Sequence, residues 1–255
     1  MKVLAIGDVI GKPGRDALRR LLPELKRQYA PDLVIVNGEN AAGGIGLTPE
    51  TADDLFAAGA DVLTSGNHIW AHRDMLPCLE TGMPVLRPLN YPAGVPGRGY
   101  LTMGGVLVVN LMGRTFMSAI DCPFRAMDAL LASLSPRPVF IVVDFHAEAT
   151  SEKMAMGHYL DGRVSAVLGT HTHVATTDSR ILAGGTAYVT DIGMTGPINS
   201  VIGDDAGAVI QRFLTGIPHR LGVASGPVMM SAVLVTLDDA SGRATGIERL
   251  YREVA

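Results

Sequence analysis

The stretch Asp61-Val62-Leu63-Thr64-Ser65-Gly66-Asn67-His68 contains an apolar run that ends in side chains able to bind metal. Four other apolar runs end in the same way, in Asp, Asn, Glu or His rather than in ordinary turn residues. In open α/β sheets, ligands bind at the carboxyl ends of the strands. We therefore expect the donors that follow these runs to converge on bound ions. The other four segments are Val3–Asp8, Leu33–Asn40, Val139–His146 and Ala166–His173.

The composition is that of a globular α/β protein without a general attraction to polyanions. The chain has 255 residues, of which 47% are hydrophobic and 18% charged, and its net charge is −4. A weakly acidic protein has no overall electrostatic attraction for nucleic acid or for an anionic membrane. A small phosphorylated ligand stays compatible with this balance, because a local metal centre outweighs a weakly negative surface.

Cysteine content and hydropathy predict a soluble protein of the reducing cytoplasm. Cys78 and Cys122 are the two cysteines, and their spacing suggests neither a disulfide scaffold nor a cysteine-based zinc site. Met1 and Lys2 lead into an apolar run that is too short for a signal peptide. The sequence contains no uncharged apolar stretch that is long enough to span a bilayer, so no membrane association is expected.

Strand-like and helix-like segments alternate in the first part of the chain. Such alternation favours parallel βαβ units with right-handed crossovers. Further along, a Gly/Pro-rich segment between Gly193 and Gly203 predicts a loop. The early strands are predicted at residues 2–6, 33–36 and 62–65, and the early helices at about 16–29 and at about 49–58, capped by Thr48 and Gly59.

The second part of the chain has the signals of β-hairpins. Tyr100–Met103 and Val106–Leu111 flank a Gly-Gly turn, and Val228–Leu237 pairs with Ala244–Arg252 at the end of the chain. We therefore expect a parallel first half and a more antiparallel second half, in two sheets packed face to face with helices outside. The chain has no repeat at a solenoid period, so residues 1–255 are predicted to form a single domain.

Each candidate ligand has an ordinary explanation when it is taken alone. Asp8 can be a turn residue, Asn67 a loop residue, and His146 a buried structural histidine. The turn 7–14 lacks the glycine spacing of dinucleotide sites and of the Walker motif, so no nucleotide cofactor is predicted. Glu39 is less ordinary, since its two oxygens can bridge two cations at a strand end.

His171-Thr172-His173 directly follows an apolar run and is the strongest of these signals. Residues i and i+2 of an extended segment share one face, so the two imidazoles can address neighbouring ions. Oxygen and imidazole donors together suit Mn, Fe, Zn or Ni better than Mg or Ca. Two such ions, roughly 3.5–4 Å apart, activate a hydroxide and hold the phosphoryl oxygens for in-line displacement. His68, next to Asn67, is then placed to protonate the leaving alkoxide.

These motifs resemble the calcineurin-like metallophosphoesterase superfamily. Its usual signature is Asp-x-His, Gly-Asp-x-x-Asp, Gly-Asn-His-Asp/Glu, a later His, and Gly-His-x-His. With Asp144–Lys153 and Asp191–Gly196, the matching segments make the chain similar to the YmdB-like subfamily over essentially its whole length. The matching segments are Gly7–Ile10, Gly38–Asn40, Gly66–Ile69, His146 and Gly169–His173.

The chain departs from the superfamily signature at three positions. Ile10 stands where a ligand histidine is expected, and Glu39 replaces the bridging aspartate. Ile69 replaces the acid that normally orients the catalytic histidine, here His68. Asn40 is then expected to supply the donor that is missing at Ile10.

The resemblance implies an α/β fold, a four-layer α/β/β/α sandwich of two mixed sheets, and a centre of two divalent or trivalent metal ions. Iron or manganese is expected first, with zinc and nickel as alternatives. Glu39 would bridge the metals and His68 would be the proton donor. One metal would be held by Asp8, Glu39, Asn40 and His173, and the second by Glu39, Asn67, His146 and His171.

The subfamily is associated with metal-dependent cyclic-nucleotide phosphodiesterase activity, so the resemblance implies hydrolysis of small 2′,3′-cyclic and also 3′,5′-cyclic nucleotides. Two alternatives stay open: a phosphomonoesterase or nuclease with the same centre, and a regulatory protein that senses a nucleotide with low turnover. The acidic balance and the lack of a Lys/Arg-rich aromatic stretch disfavour a long nucleic-acid substrate. Homo-oligomerisation also stays open.

Overall fold

The computed structural model describes residues 1–254, which form six helices and thirteen strands. The helices are α1 (Gly11–Tyr29), α2 (Pro49–Ala58), α3 (Met75–Glu80), α4 (Pro123–Ser133), α5 (Thr150–Leu160) and α6 (Ala206–Thr215). The strands are β1 (Lys2–Ile6), β2 (Asp8–Val9), β3 (Leu33–Asn37), β4 (Val62–Thr64), β5 (Tyr100–Met103), β6 (Val106–Met112), β7 (Phe140–His146), β8 (Ala166–Thr170), β9 (Arg180–Ile181), β10 (Ala187–Val189), β11 (Met194–Pro197), β12 (Val228–Leu237) and β13 (Ala244–Val254).

The first sheet joins the beginning of the chain to its end. Its order is β2-β11-β12-β1-β3-β4, with β13 also paired to β12. β1, β3 and β4 are parallel, as the alternation of strands and helices predicted. β12 is antiparallel to both β1 and β13, which confirms the predicted closing pair. The parallel strands therefore present their carboxyl ends at one common edge.

The second sheet has the order β5-β6-β7-β8-β10-β9. The second half of the chain is more antiparallel than the first, as expected, because β12 pairs antiparallel with β1, β11 and β13. Within the second sheet, however, β6, β7, β8 and β10 are all parallel. Antiparallel pairing is confined to the edges, at β5–β6 and β9–β10. Helices α4 and α5 connect β6 to β7 and β7 to β8, and such crossovers return the chain in the same direction.

The two mixed sheets pack face to face with helices on both outer sides, so the four-layer α/β/β/α sandwich is confirmed. Side chains alternate between the faces of a strand. In β1, Leu4 and Ile6 pack with the leucines of α1, whereas Val3 and Ala5 pack against the second sheet. A third apolar cluster fills the space between the second sheet and α4 and α5.

Local signals fixed several boundaries and missed others. Thr48 caps α2 through the Thr51 amide, and Gly59 ends it in the left-handed conformation, both as predicted. Helix α1 begins at Gly11 rather than near residue 16. The predicted loop at 193–203 contains β11, which exists because β2 and β12 pair with it from distant parts of the chain. None of the helices formed by residues 1–254 is both long and apolar enough to cross a bilayer.

Candidate metal centre

The structure brings all of the predicted site residues together at the carboxyl ends of the parallel strands. Each lies within or just after the end of a strand, so the sheet edges deliver them to one place. Every one has a nitrogen or oxygen within 4.0 Å of a polar atom of another member. The set comprises Asp8, Glu39, Asn40, Asn67, His68, His146, His171 and His173.

One half of the centre is built around the ring of His146, which is fully buried. Its Nε2 lies 3.0 Å from Glu39 Oε1, 3.2 Å from Asn67 Oδ1 and 3.0 Å from His171 Nδ1. Glu39, His146 and His171 each offer one ligand atom within 4.8 Å of the others. This spacing fits a single cation held between a carboxylate and two imidazoles.

The other half of the centre joins Asp8, Asn40 and His173. His173 Nε2 lies 3.1 Å from Asn40 Nδ2 and 3.7 Å from Asp8 Oδ1. Asn40 Nδ2 is also 3.4 Å from Glu39 Oε1, so Glu39 contacts both halves. Asp8 Oδ1 is buried and has no hydrogen-bond partner among the described residues. An unpaired buried carboxylate oxygen is costly, and a cation at this position would satisfy it.

A chain of hydrogen bonds fixes which nitrogen of His146 faces the centre. Asp144 is buried and accepts hydrogen bonds from Thr170 Oγ1 at 2.6 Å and from Thr64 Oγ1 at 2.5 Å. Because Thr170 gives its proton to Asp144, its oxygen must accept from His146 Nδ1, which lies 3.0 Å away. In its neutral form His146 therefore carries its proton on Nδ1 and turns the Nε2 lone pair towards Glu39 and Asn67, as metal-binding histidines do.

His171 and His173 are oriented by the same principle. His171 Nε2 lies 3.0 Å from the carboxylate of Glu148, and His173 Nδ1 lies 2.7 Å from the carbonyl oxygen of Ile202. Both partners are acceptors only, so these nitrogens are the donors. The opposite nitrogens, His171 Nδ1 and His173 Nε2, keep their lone pairs and face the centre.

Burial and mutual charge shift the pKa values of these groups strongly. Burial raises the pKa of Asp8 to about 6. Burial also opposes ionisation of Glu39, but the charge and hydrogen bond of His146 outweigh it and lower the pKa of Glu39 to about 2. The pKa of His146 rises to about 9 because Glu39 outweighs its burial, and that of His171 falls to about 3 through burial and the charge on His146. The buried carboxylates thus need positive charge here, which a protonated His146 or a bound cation supplies.

The turn that carries His171 and His173 is not an extended segment, contrary to the geometry expected from sequence. Both histidines have positive φ, 99° and 64°, a conformation that costs a non-glycine residue energy. Thr172 lies between them and donates two hydrogen bonds, from its amide and its hydroxyl, to Asp191 Oδ2. Lys153 Nζ, itself buried, lies 2.6 Å from the same oxygen. This buried ion pair stabilises the strained turn. As a result, the ring of His171 lies in one half of the centre and the ring of His173 in the other.

Position 66 requires glycine because the side chains of His146 and Glu39 approach its backbone closely, and not because its backbone conformation is unusual. A Cβ atom at this position would overlap the ring of His146 and would lie 2.5 Å from Glu39 Oε2. Neither neighbour can move away without leaving the centre. The glycine of the Gly-Asn-His motif therefore lets Asn67 approach the buried imidazole.

His68 lies beside the centre rather than within it. Its Nδ1 is 2.8 Å from Asn40 Oδ1 and 3.5 Å from Glu39 Oε1. The side chain is 35% exposed and lines a cavity of about 480 Å³ that also exposes His171 and His173. Ile69 is fully buried, so the residue after His68 cannot orient it. Asn40 and Glu39 make the polar contacts to its ring instead.

Sequence reasoning missed the residues that orient the histidines. Asp144 had a usable signal, because it lies two residues before His146 in a strand and so shares its face. Glu148 and Asp191 lie in the segments Asp144–Lys153 and Asp191–Gly196 that carry the subfamily resemblance, but only the tertiary structure shows that they contact His171 and its turn. The contact of Thr170 with His146 had no signal in the sequence.

Comparison with known proteins gives a consistent result at the level of family and fold. The model of one family, described as YmdB-like protein, matches residues 4–250. A relative from Bacillus subtilis strain 168, named 2′,3′-cyclic-nucleotide 2′-phosphodiesterase, is 48% identical over 254 residues. The alignment covers 98% of this chain and 96% of that relative.

Two solved structures are similar to this chain over nearly all of its length. A crystal structure of a hypothetical protein from Thermus thermophilus has a TM-score of 0.93 and 47% identity, covering 99% of both chains. A crystal structure of a novel phosphatase from Mycoplasma pneumoniae also has a TM-score of 0.93, with 33% identity, covering 99% of this chain and 93% of that one.

Proposed function

We propose that this chain, which belongs to the YmdB-like protein family, is a metal-dependent phosphodiesterase that hydrolyses nucleoside 2′,3′-cyclic phosphates. Family membership and the relative named as a phosphodiesterase support an enzyme that cleaves phosphodiesters. The observation that carries the metal-dependent part is the orientation of His146, His171 and His173. Each donates its outer proton to an oxygen acceptor and turns the other nitrogen towards the buried carboxylates.

The residues fit a pair of metal ions. We assign Glu39, Asn67, His146 and His171 to one ion, since these four meet around His146 Nε2. Asp8, Asn40 and His173, with Glu39, would hold the other, and the unpaired Asp8 Oδ1 supports this assignment. The amide nitrogen of Asn40 faces His173 and its oxygen faces His68, so ligation by that oxygen requires the side-chain amide to turn over.

When bound, such a metal pair supplies an activated hydroxide and neutralises the charge on the phosphoryl oxygens. The protein's own part in the reaction is to position groups and to move one proton. Water adds across the bond between phosphorus and O2′, and the 2′-alkoxide leaves with a proton. We assign that proton to His68, the partly exposed imidazole at the cavity wall. The product is then a nucleoside 3′-phosphate, matching the 2′-phosphodiesterase name of the Bacillus subtilis relative.

The donor set guides the choice of metal and substrate. Three imidazoles with carboxylate and amide oxygens favour iron or manganese, with zinc and nickel as alternatives, over magnesium or calcium. Activity on 3′,5′-cyclic nucleotides is a second part of the proposal, since the same centre would hold that phosphate. A cytoplasmic location and a single domain over residues 1–255 stay predictions.

A phosphomonoesterase is the second candidate, because one close structural relative is described as a phosphatase.

The test is an assay of protein purified without chelator, with its metals identified by elemental analysis. Substrates are adenosine 2′,3′-cyclic phosphate, adenosine 3′,5′-cyclic phosphate and p-nitrophenyl phosphate. We expect adenosine 2′,3′-cyclic phosphate to have the highest kcat/KM of the three. Preference for p-nitrophenyl phosphate would favour the phosphomonoesterase, and tight binding without turnover of any substrate would favour a nucleotide sensor.

A further inference from the structure

The cavity beside the candidate metal centre adjoins a second cavity of similar size. The inner compartment, about 480 Å³, is the one that exposes His68, His171 and His173. The outer compartment, about 500 Å³, lies between the Gly43–Ile45 turn, His72 and the segment from Arg212 to Leu221. Each volume is within the range of about 300–1,000 Å³ that is usual for small-ligand sites. The two compartments share the lining residues Gly44, Ile45, Asp204, Arg212 and Leu221, so they lie side by side, and we refer to them together as the groove.

The charges in the two compartments differ in sign. The inner compartment contains Glu39 and Glu148 beside the histidines. The outer one is lined by Arg212 and Arg220 and by His72 and His219, and Arg212 also lines the inner compartment. Its carboxylate is Asp204, which is half-buried and also faces the inner compartment. The outer compartment is therefore the part of the groove that favours an anion.

The two arginines are available to a ligand. Within residues 1–254, neither Arg212 nor Arg220 makes a side-chain hydrogen bond or an ion pair within 4.0 Å, and both are exposed. By contrast, Arg15 is held by Asp54, and Arg249 is held by carbonyl oxygens of the Thr176 and Ile192 region. Two unengaged guanidinium groups in one cavity, next to a phosphoryl-transfer centre, are suited to bidentate contact with phosphate oxygens.

We propose that the outer compartment binds a second phosphate group of the substrate, beyond the phosphate that is hydrolysed. This inference rests on the proposed function, because it places the cyclic phosphate at the metal centre. Arg212 stands at the boundary of the two compartments, and Arg220 lies in the outer one. Ile45 is 57% exposed and lies on the wall common to both, so it offers an apolar surface to the nucleoside between the two phosphates.

Two kinds of substrate carry such a phosphate. One is a nucleoside 2′,3′-cyclic phosphate that also has a 5′-phosphate. The other is a short oligoribonucleotide that ends in a 2′,3′-cyclic phosphate, whose next phosphodiester would occupy the outer compartment. Both present the same phosphate oxygens to Arg212 and Arg220, so the experiment must compare them directly.

The kinetic test uses three substrates with the metal-loaded protein: adenosine 2′,3′-cyclic phosphate, its 5′-phosphorylated form, and the dinucleotide ApA with a terminal 2′,3′-cyclic phosphate. We expect the 5′-phosphorylated form, the dinucleotide or both to have a kcat/KM about 10-fold higher than that of adenosine 2′,3′-cyclic phosphate. This factor corresponds to the free energy of a hydrogen bond to a charged group. Arg220→Met and Arg212→Met should each reduce that ratio to about 2-fold or less. Arg125→Met, an exposed arginine on α4, is the matched control and should leave the ratio unchanged.

A binding measurement tests the second phosphate site independently of the proposed hydrolytic activity. Calorimetry compares adenosine 3′,5′-bisphosphate with adenosine 3′-monophosphate, which needs no turnover. The bisphosphate should bind about 10-fold more tightly to the unmodified protein, and Arg220→Met should abolish the difference. Equal affinities, or a preference that survives both arginine substitutions, would overturn the second phosphate site. A bisphosphate preference in a protein that does not hydrolyse cyclic nucleotides would instead overturn the proposed activity and leave this site standing.

Discussion

The strand-end centre and the outer wall of its groove are built in opposite ways. In the centre, Asp8, Glu39 and His146 are fully buried, and strands from both sheets hold them. The outer wall, formed by α6 and the segment that follows it, buries few side chains against the rest of the protein. Of the ten residues of α6, all within the described part of the chain, Val209 alone is buried. Phe213 and Leu214 on the same helix are 83% and 73% exposed.

This difference separates two tasks. Chemistry at a metal centre needs ligands held within fractions of an ångström, which packed strands and buried hydrogen bonds provide. Recognition of the rest of a substrate tolerates looser positioning, and exposed segments between rigid elements commonly carry it. Substitutions in the centre should therefore affect metal content and turnover, whereas those in the outer wall should affect substrate preference and leave stability nearly unchanged.

The largest effect is expected from Glu39→Gln, which keeps the volume of the side chain and removes its charge. Glu39 contacts both halves of the centre, so its loss should release metal from each. Turnover should fall by about 10⁴-fold or more, because the metals supply several kcal/mol of transition-state stabilisation. Elemental analysis and initial rates measure the two effects. Glu50→Gln, at an exposed position of α2, is the control, and full metal content in Glu39→Gln would contradict the assignment.

His68→Ala tests whether the cavity wall contributes to chemistry. We expect turnover to fall by about 10²–10⁴-fold, the usual worth of a positioned acid, with metal content intact. His158→Ala, an exposed histidine on α5, is the matched control. An unchanged rate would remove His68 from the mechanism, and a loss of metal would make it part of the metal-binding set instead.

Thr170→Val tests the hydrogen bonds that orient His146. The substitution keeps the shape of the side chain but removes the hydroxyl between Asp144 and His146 Nδ1. Loss of such a supporting contact typically lowers metal affinity by about 10–100-fold. Metal titration by calorimetry measures the effect, and Thr170→Ser should restore affinity because it keeps the hydroxyl. Equal affinities in Thr170→Val and the unmodified protein would show that the hydroxyl does not orient the ligand.

The smallest effect is expected on the outer wall. Phe213→Ala should change the free energy of unfolding by no more than about 0.5 kcal/mol, since the ring is exposed. Phe145→Ala is the matched comparison in the buried strand β7, and it should cost about 3–5 kcal/mol. Chemical denaturation measures both. A loss above about 1 kcal/mol for Phe213→Ala would show that this wall is more tightly held than its exposure indicates.

The sequence determined the fold class and predicted a set of candidate site residues that the structure brings together. Apolar runs ending in Asp, Asn, Glu and His placed the donors at strand ends, and strand ends of parallel segments meet at one edge. That argument needs no knowledge of distant contacts, so Asp8, Glu39, Asn67, His146 and His171 could be named in advance. It did not reveal that β6, β7 and β8 run parallel, because their common direction depends on the crossover helices α4 and α5.

Only the tertiary structure decided how those residues are held. Which nitrogen of His146 faces the centre depends on Thr170, and the same choice for His173 depends on the carbonyl of Ile202. The turn at His171 has positive φ, so spacing along an extended chain could not predict its geometry. These contacts join residues far apart in sequence, and a hydrogen bond exists only where packing brings donor and acceptor within about 3 Å. Residue types fix which chemistry is available, and packing fixes which atoms take part.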